Sequence, residues 1–169
     1  MNGDTLEVVV EIPRGSRNKY EFDKKRGVFV LDRVLYSSIH YPTDYGYVPG
    51  TLGEDGDPLD VLIIVHEPTF PGCHIMTRPI GMLDMADEHG RDHKILAVPL
   101  NDPRFRSITD LESLDPHWLI EIDNFFRTYK TLEEKATEIM GWENTAAAVR
   151  VIQEAIARFA AALESTDLP

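Results

Sequence analysis

Asp55-Gly56-Asp57-Pro58-Leu59-Asp60 sets three carboxylates within six residues, in a Gly/Pro turn that leads straight into the apolar run 61–65. Two carboxylates 4 Å apart repel by ~1 kcal/mol in water and ~4 kcal/mol at an effective dielectric of 20, and a divalent cation reverses that sign. Asp, Gly and Pro are also ordinary turn formers, so a solvated turn and a cation site are both open readings of the hexapeptide. Asp60 favours the site. Strand alternation after Pro58 puts it on the face of Leu62 and Ile64, where a carboxylate requires a ligand. An EF-hand does not fit, because its loop spreads acidic positions over twelve residues with Gly at the sixth.

A second acidic segment, Asp87-Glu88-His89-Gly90-Arg91-Asp92-His93-Lys94, joins two predicted strands. His89 and His93 stand four residues apart, a spacing that makes a zinc pair only on a helix, and Gly90 argues against one; both read as loop residues or as supports behind the metal ligands. The remaining donors are oxygens, which select a hard ion, and Mg²⁺ is the one that shares its coordination sphere with water and substrate phosphates. Lys19, Arg33, Lys94 and Lys130 lie beside tyrosines, carboxylates or apolar runs and could hold phosphate oxygens. Taken singly, each also reads as a surface charge whose long stem reaches solvent. Tyr41-Pro42-Thr43-Asp44-Tyr45-Gly46-Tyr47 gathers three phenols around Pro and Gly, open to core packing or to hydrogen bonding of a phosphate.

These groups need a scaffold, and the pattern of the first hundred residues is mostly strand. Leu6, Val8, Val10 and Ile12 alternate with Glu7, Val9 and Glu11, a half-buried strand with Glu11 at its far end. Segment 28–35 is apolar on both faces apart from Asp32 and Arg33, and a guanidinium beside Phe29, Leu31 and Leu35 demands a partner. Further strands are predicted at 59–65, at 75–85 with a break at Pro79 and Gly81, and at 94–98; 41–47 reads as an irregular connection. Asp115, followed by Pro116, predicts the N-cap of a helix ending near Lys130, with Leu119, Ile122, Phe126 and Tyr129 on one face. A last helix from about Thr145 carries Val149, Ile152, Ile156, Phe159 and Leu163 as its apolar stripe, read as intrachain core.

The 169 residues show no repeat and no linker, so a single domain over 1–169 is expected. With 29 acidic against 17 basic residues the net charge is −12, which repels nucleic acid and anionic lipid unless metal ions mediate. A nucleic-acid groove would show basic and aromatic residues interleaved, and no Gly-rich phosphate loop of the Walker type is present. No apolar run approaches the ~20 residues of a membrane span and no secretory pattern opens the chain, so a cytoplasmic protein is expected. The lone Cys73 cannot form an internal disulfide.

Eight segments in order, Glu11-Ile12-Pro13, Asn18-Lys19-Tyr20-Glu21, Leu31-Asp32-Arg33, Tyr41 to Gly46, Asp55 to Asp60, Asp87-Glu88, Asp92 with Lys94, and Tyr129-Lys130, resemble the soluble family I inorganic pyrophosphatases over nearly the whole chain. His89 within the acidic segment and the short length are similar to a bacterial, actinobacterial type. The resemblance implies an α+β, mainly β fold: a five-stranded OB-type barrel flanked by two helices. It implies hydrolysis of pyrophosphate to two orthophosphates by in-line attack of a magnesium-activated water, with several Mg²⁺ ions and no covalent phosphoenzyme. By the same resemblance Asp55, Asp60 and Asp92 hold the tighter metal, with Asp60 bridging to a second, while Asp87, Asp92 and Glu11 serve metals arriving with substrate. Lys19, Arg33, Tyr129 and Lys130 grip phosphates, supported by Lys94, Tyr45 and Glu21; Asp57, or else Asp92, takes the proton from water. A homo-oligomer, a hexamer in bacterial relatives, is also implied. The chain departs from the family pattern at 131–136, which lacks the usual Asp and Gly-Lys.

Overall fold

Five strands close into a ring in the computed structural model of the chain, which describes residues 3–87, 90–135 and 137–166. In chain order the strands are β1 (Leu6–Ile12), β2 (Asn18–Asp23), β3 (Val28–Val34), β4 (Asp44–Tyr47), β5 (Asp60–Ile63), β6 (His74–Asp87), β7 (Gly90–Arg91), β8 (Lys94–Pro99) and β9 (Glu138–Asn144). Two helices follow the barrel strands, α1 (Pro116–Thr128) before β9 and α2 (Thr145–Thr166) after it. The ring runs β1, β4, β5, β8, β6 and returns from β6 to β1, the five-stranded barrel of OB type. Its one parallel seam joins β5 to β8; the other ring pairs are antiparallel.

Ring membership differs from the sequence pattern at two places. Segment 28–35 forms β3, which pairs with β2 in a hairpin outside the ring and leaves Val28, Leu31 and Val34 exposed. Its place in the barrel is taken by β4, from the stretch read as irregular. Gly46 explains both the misreading and the strand. A Cβ there would lie 2.1 Å from the Val9 carbonyl oxygen, so only glycine lets β1 and β4 approach this closely. Pro79 and Gly81 do not break β6; a register shift between them against β8 absorbs the irregularity and the strand runs on. β9 had no sequence signal, since Glu138, Gly141 and Glu143 blur its alternation along the flank of β6.

Alternation sorts the strand side chains into two cores. Val61 and Ile63 join Leu6, Val8 and Val10 against Ala148, Val151, Ile152 and Ala155 of α2. Leu62 and Ile64 join Leu83, Met85 and Leu96 against Ile122, Phe125 and Phe126 of α1. Each fully buried large aliphatic contributes about 1.5–3 kcal/mol relative to exposure. At the start of α1, Asp115 accepts from the His117 N–H at 2.9 Å with Pro116 behind it, as its sequence predicts. The contact face of α2 is rotated from the predicted stripe. Ala148 and Ala155 permit close approach to the sheet, Val149, Ile156 and Phe159 are only half-buried, and Leu163 is exposed. No helix among the described residues is long and apolar enough to cross a membrane.

Candidate active site

A cavity of about 430 Å³ opens between the β2–β3 hairpin, the acidic turn, the start of β8 and the end of α1. Lys19, Glu21 and Arg33 line it from the hairpin, Asp55, Asp57 and Asp60 from the turn, Glu11 and Tyr45 from the barrel, and Asp92, Lys94, Tyr129 and Lys130 complete the wall. These residues come from seven stretches of sequence and meet in one space. Glu88 and His89 lie outside the described residues, as does the side chain of Asp87.

Strand register builds the centre. β5 and β8 run parallel with Asp60 opposite Lys94, and Asp92 is tied in just ahead by its N–H to the Met85 carbonyl at 2.8 Å. The Lys94 ammonium, 5% exposed, donates to Asp60 at 2.5 Å, Asp92 at 2.6 Å and the Tyr45 hydroxyl at 3.0 Å. Tyr45 in turn donates to Asp60 at 2.5 Å. Burial works against the lysine's charge, yet Asp60 and Asp92 outweigh it and hold Lys94 above its ordinary value. Burial, with Asp60 and Asp92 adding to it, pushes the Tyr45 phenol well up, so it stays a neutral donor. Alternation places Asp60 on the face of Leu62 and Ile64, half-buried at the mouth of the cavity.

Glu11 sits at the register shift between Val10 and Ile12 against β4. The shift also moves Ile12 to the core opposite Val10, the effect of a bulge on side-chain direction. Burial raises the Glu11 carboxyl from its ordinary 4.5 to about 7; the Phe22 N–H at 2.8 Å opposes this, and Asp60 and Glu21 add to it. Because the folded value is the higher one, the stability tied to protonated Glu11 is complete below about 4.5 and is lost as pH rises through about 7. Glu11→Gln is therefore expected to stabilise the metal-free protein at pH 8 by on the order of 2 kcal/mol, discounted for partial exposure. The gain shrinks toward pH 5. Urea midpoints in chelator at the two pH values check it, and an equal gain at both would refute the assignment.

The cations of the hairpin are threaded through acids. Lys19 pairs with Glu21 and, at 3.2 Å, with Asp32, which also meets Arg33 at 3.2 Å. The partner that Arg33 demands on its strand includes Glu133, 3.2 Å away and only 7% exposed, from the short turn after Lys130. On the opposite wall Lys130 lies 5.5 Å from the Tyr129 ring centroid, and Tyr129 stacks on Phe125 at 5.2 Å.

The acidic turn is stitched internally. Thr51 closes its neck, donating to the Val48 carbonyl at 2.6 Å and accepting the Leu59 N–H at 2.9 Å. Within it the Asp55 side chain accepts from the Asp57 N–H at 3.1 Å, and Gly56 takes φ 91°, a left-handed conformation that suits glycine. Asp57 itself is exposed toward the cavity, while burial raises the Asp55 carboxyl above its ordinary range.

His93 meets Asp84, 3.3 Å off, and Arg91 pairs with the same carboxylate at 2.8 Å. Lys24 and Lys135 also line the cavity without having been singled out. Lys24 is one of two lysines in a hairpin turn. Lys135 falls in the departing segment, behind Glu134, whose φ of 57° supplies the left-handed turn that a glycine would.

Among the described residues no three of His, Cys, Asp and Glu form a ready-made metal cage. The donors present are carboxylate oxygens, and Mg²⁺ requires only one or two of them per ion when water and substrate phosphates complete its shell. Half-buried Glu11, raised to about 7 in an acidic surround, is a group that a cation would return to its charged form. The residues fit such an ion.

Comparison with known proteins agrees. The family model described as inorganic pyrophosphatase matches residues 8–160. The inorganic pyrophosphatase of Synechocystis is 53% identical over 154 residues, 91% of each chain, and that of Methanosarcina mazei 55% over 152 residues, 90% of each. The crystal structure of the Thermus thermophilus inorganic pyrophosphatase superposes with a TM-score of 0.90 at 42% identity, covering 92% of this chain and 91% of that one. Barrel, cavity and sequence likeness agree along nine-tenths of the chain, which belongs to the inorganic pyrophosphatase family.

Proposed function

We propose that the protein hydrolyses inorganic pyrophosphate to two orthophosphates with Mg²⁺ as its metal, at the cavity centred on Lys94. One observation supports this above the others: a lysine-bridged pair of aspartates, half-buried Glu11 and the acidic turn face a wall of lysine, arginine and tyrosine. When bound, Mg²⁺ lowers the pKa of coordinated water and offsets charge on the phosphates. Asp55, Asp60, Asp92, Glu11 and Asp87 are assigned as the residues that would hold it.

Lys19, Arg33, Tyr129 and Lys130 hold phosphate oxygens, with Lys94, Tyr45 and Glu21 fixing their places. Water oxygen forms the new bond to phosphorus in line with the bridging oxygen, which leaves with the second phosphate. Asp57 takes the water's proton. It is favoured over Asp92 because Asp92 is nearly buried and ion-paired with Lys94, whereas Asp57 is exposed to the cavity. Lys94 stabilises the charge that moves onto the departing oxygen through the groups it fixes.

The same proposal takes residues 1–169 as one domain, a homohexamer of the cytoplasm. Exposed Leu31, Tyr36, Phe70 and Ile120 are compatible with contacts between copies, and sedimentation velocity measures the assembly. Phosphate release from pyrophosphate, with and without Mg²⁺ and beside ATP, tests the activity. Release that is Mg²⁺-dependent and favours pyrophosphate is expected; none from pyrophosphate would sink the reading.

A further inference from the structure

The acidic turn is held from outside as well as from within. Leu52, three residues before Asp55, donates its N–H to the Ala155 carbonyl at 3.0 Å, and its own carbonyl accepts from Arg158 Nε at 2.9 Å. Both partners belong to α2, one turn apart on the same face of the helix. A carbonyl has two lone pairs, so Ala155 accepts this bond without surrendering its place in the helix ladder. One residue leading into the turn is thus gripped at both its N–H and its carbonyl by an element that supplies no side chain to the catalytic cavity. Arg158 also shares a narrow cleft behind the turn with Gly53, Asp55, Asp60, Asp92 and His93.

The turn requires such support. Gly50 and Gly56 have left-handed φ of 75° and 91°, and Gly53 lies between them. Each glycine widens the unfolded and loosened ensembles, and ordering a residue's backbone costs about 1–2 kcal/mol. Clustered carboxylates add repulsion that favours the loosened state whenever no cation is bound. The internal stitches at Thr51, Gly53 and Asp55 hold the turn to itself, and Leu52 fixes it to the rest of the molecule.

We infer that Arg158 is a positioning residue: from the outer helix it presets the turn so that Asp55 stands where it receives metal. The inference rests on the reading of the turn as part of the metal site. Arg158 works through the Leu52 peptide and touches neither metal nor pyrophosphate. Its loss leaves the ligands in place but makes metal binding carry the cost of ordering them.

The test is Mn²⁺ binding to the full chain without substrate, read as the electron paramagnetic resonance of free Mn²⁺, with amide exchange at Leu52 beside it. Arg158→Met keeps the aliphatic stem and loses the donor. It is expected to weaken Mn²⁺ binding about fivefold, equivalent to ~1 kcal/mol, and to speed Leu52 exchange at least as much. KM for pyrophosphate at saturating metal stays within twofold of the parent. Arg158→Lys, which keeps a cationic donor, recovers most of the affinity. Parent-like Mn²⁺ binding in Arg158→Met overturns the inference, as does a loss that Arg158→Lys shares in full. Asp55→Asn separates the two layers: if it too binds Mn²⁺ like the parent, the reading of the turn fails; if it binds weakly while Arg158→Met does not, only the positioning role fails.

Discussion

Asp57→Asn is expected to lower kcat by roughly 10²–10⁴, the range that a positioned general base contributes, while the protein melts within a few degrees of the parent. The structure separates these effects cleanly. Asp57 is exposed, and what the turn takes from it is main-chain bonding: its N–H to Asp55 and its carbonyl to the Gly53 N–H at 2.6 Å. Asparagine keeps both bonds and the side-chain shape, and surface changes of this kind are usually worth less than half a kcal/mol. KM at saturating Mg²⁺ should move far less than kcat, since a base that acts in the transition state is no handle for substrate in the ground state. Near-normal turnover would pass the proton to Asp92.

Lys94→Met should be the most damaging single change to the metal-free protein. The ammonium separates Asp60 from Asp92 in a nearly closed space. Removing one member of a buried charge cluster costs about 3–5 kcal/mol because the others are left uncompensated. For a chain this long that corresponds to a melting point lower by roughly 6–20 °C. Mg²⁺ should return half or more of the loss, because a divalent cation neutralises the same pair. Melting curves of parent and variant, in chelator and in Mg²⁺, make the comparison. A variant as stable as its parent without metal, or one that metal fails to rescue, contradicts the role given to Lys94. Catalysis stays impaired even when rescued, since Tyr45 loses the cation that fixes its hydroxyl.

The acidic side of the candidate site was legible because its signals are local, whereas Lys19, Lys94 and Lys130 read singly as surface charges and were placed there by the family resemblance. Three aspartates in a Gly/Pro turn, Asp60 two residues before Leu62 on one face, and Asp115 before Pro116 each depend on nearest neighbours, and the structure has them as read. The barrel was legible as a class and less so strand by strand. Segment 28–35 is a strand by every local rule, and nothing within it reveals that its partner is β2 outside the ring. Conversely 44–47 hides a barrel strand behind Pro42 and Gly46, because the need for glycine arises from the Val9 carbonyl 37 residues earlier. Glu133 and Arg158 were illegible for the same reason. One meets Arg33 across 100 residues and the other meets Leu52 across 106; each reads as a surface charge on its own segment. The rotated face of α2 is a milder case, where apolarity alone favoured Val149 and Ile156 over the alanines that set the contact distance.

The seam between β1 and β6 bears on how the molecule comes to exist. It brings Leu6 opposite Thr77 and Val9 opposite His74, closing a loop of about seventy residues, and the ring is complete only once β8, which ends at Pro99, stands between β5 and β6. Closing so long a loop is entropically costly before any contact rewards it, and topologies dominated by such pairings fold slowly. The hairpin β2–β3 and helix α1 are built from neighbours in sequence and can form early; the meeting of Glu11, Asp55, Asp60 and Asp92 with Lys94 cannot. During synthesis or refolding, competence to bind metal should therefore appear last, in step with burial of Leu6 and Val8 and not with the rise of helix signal.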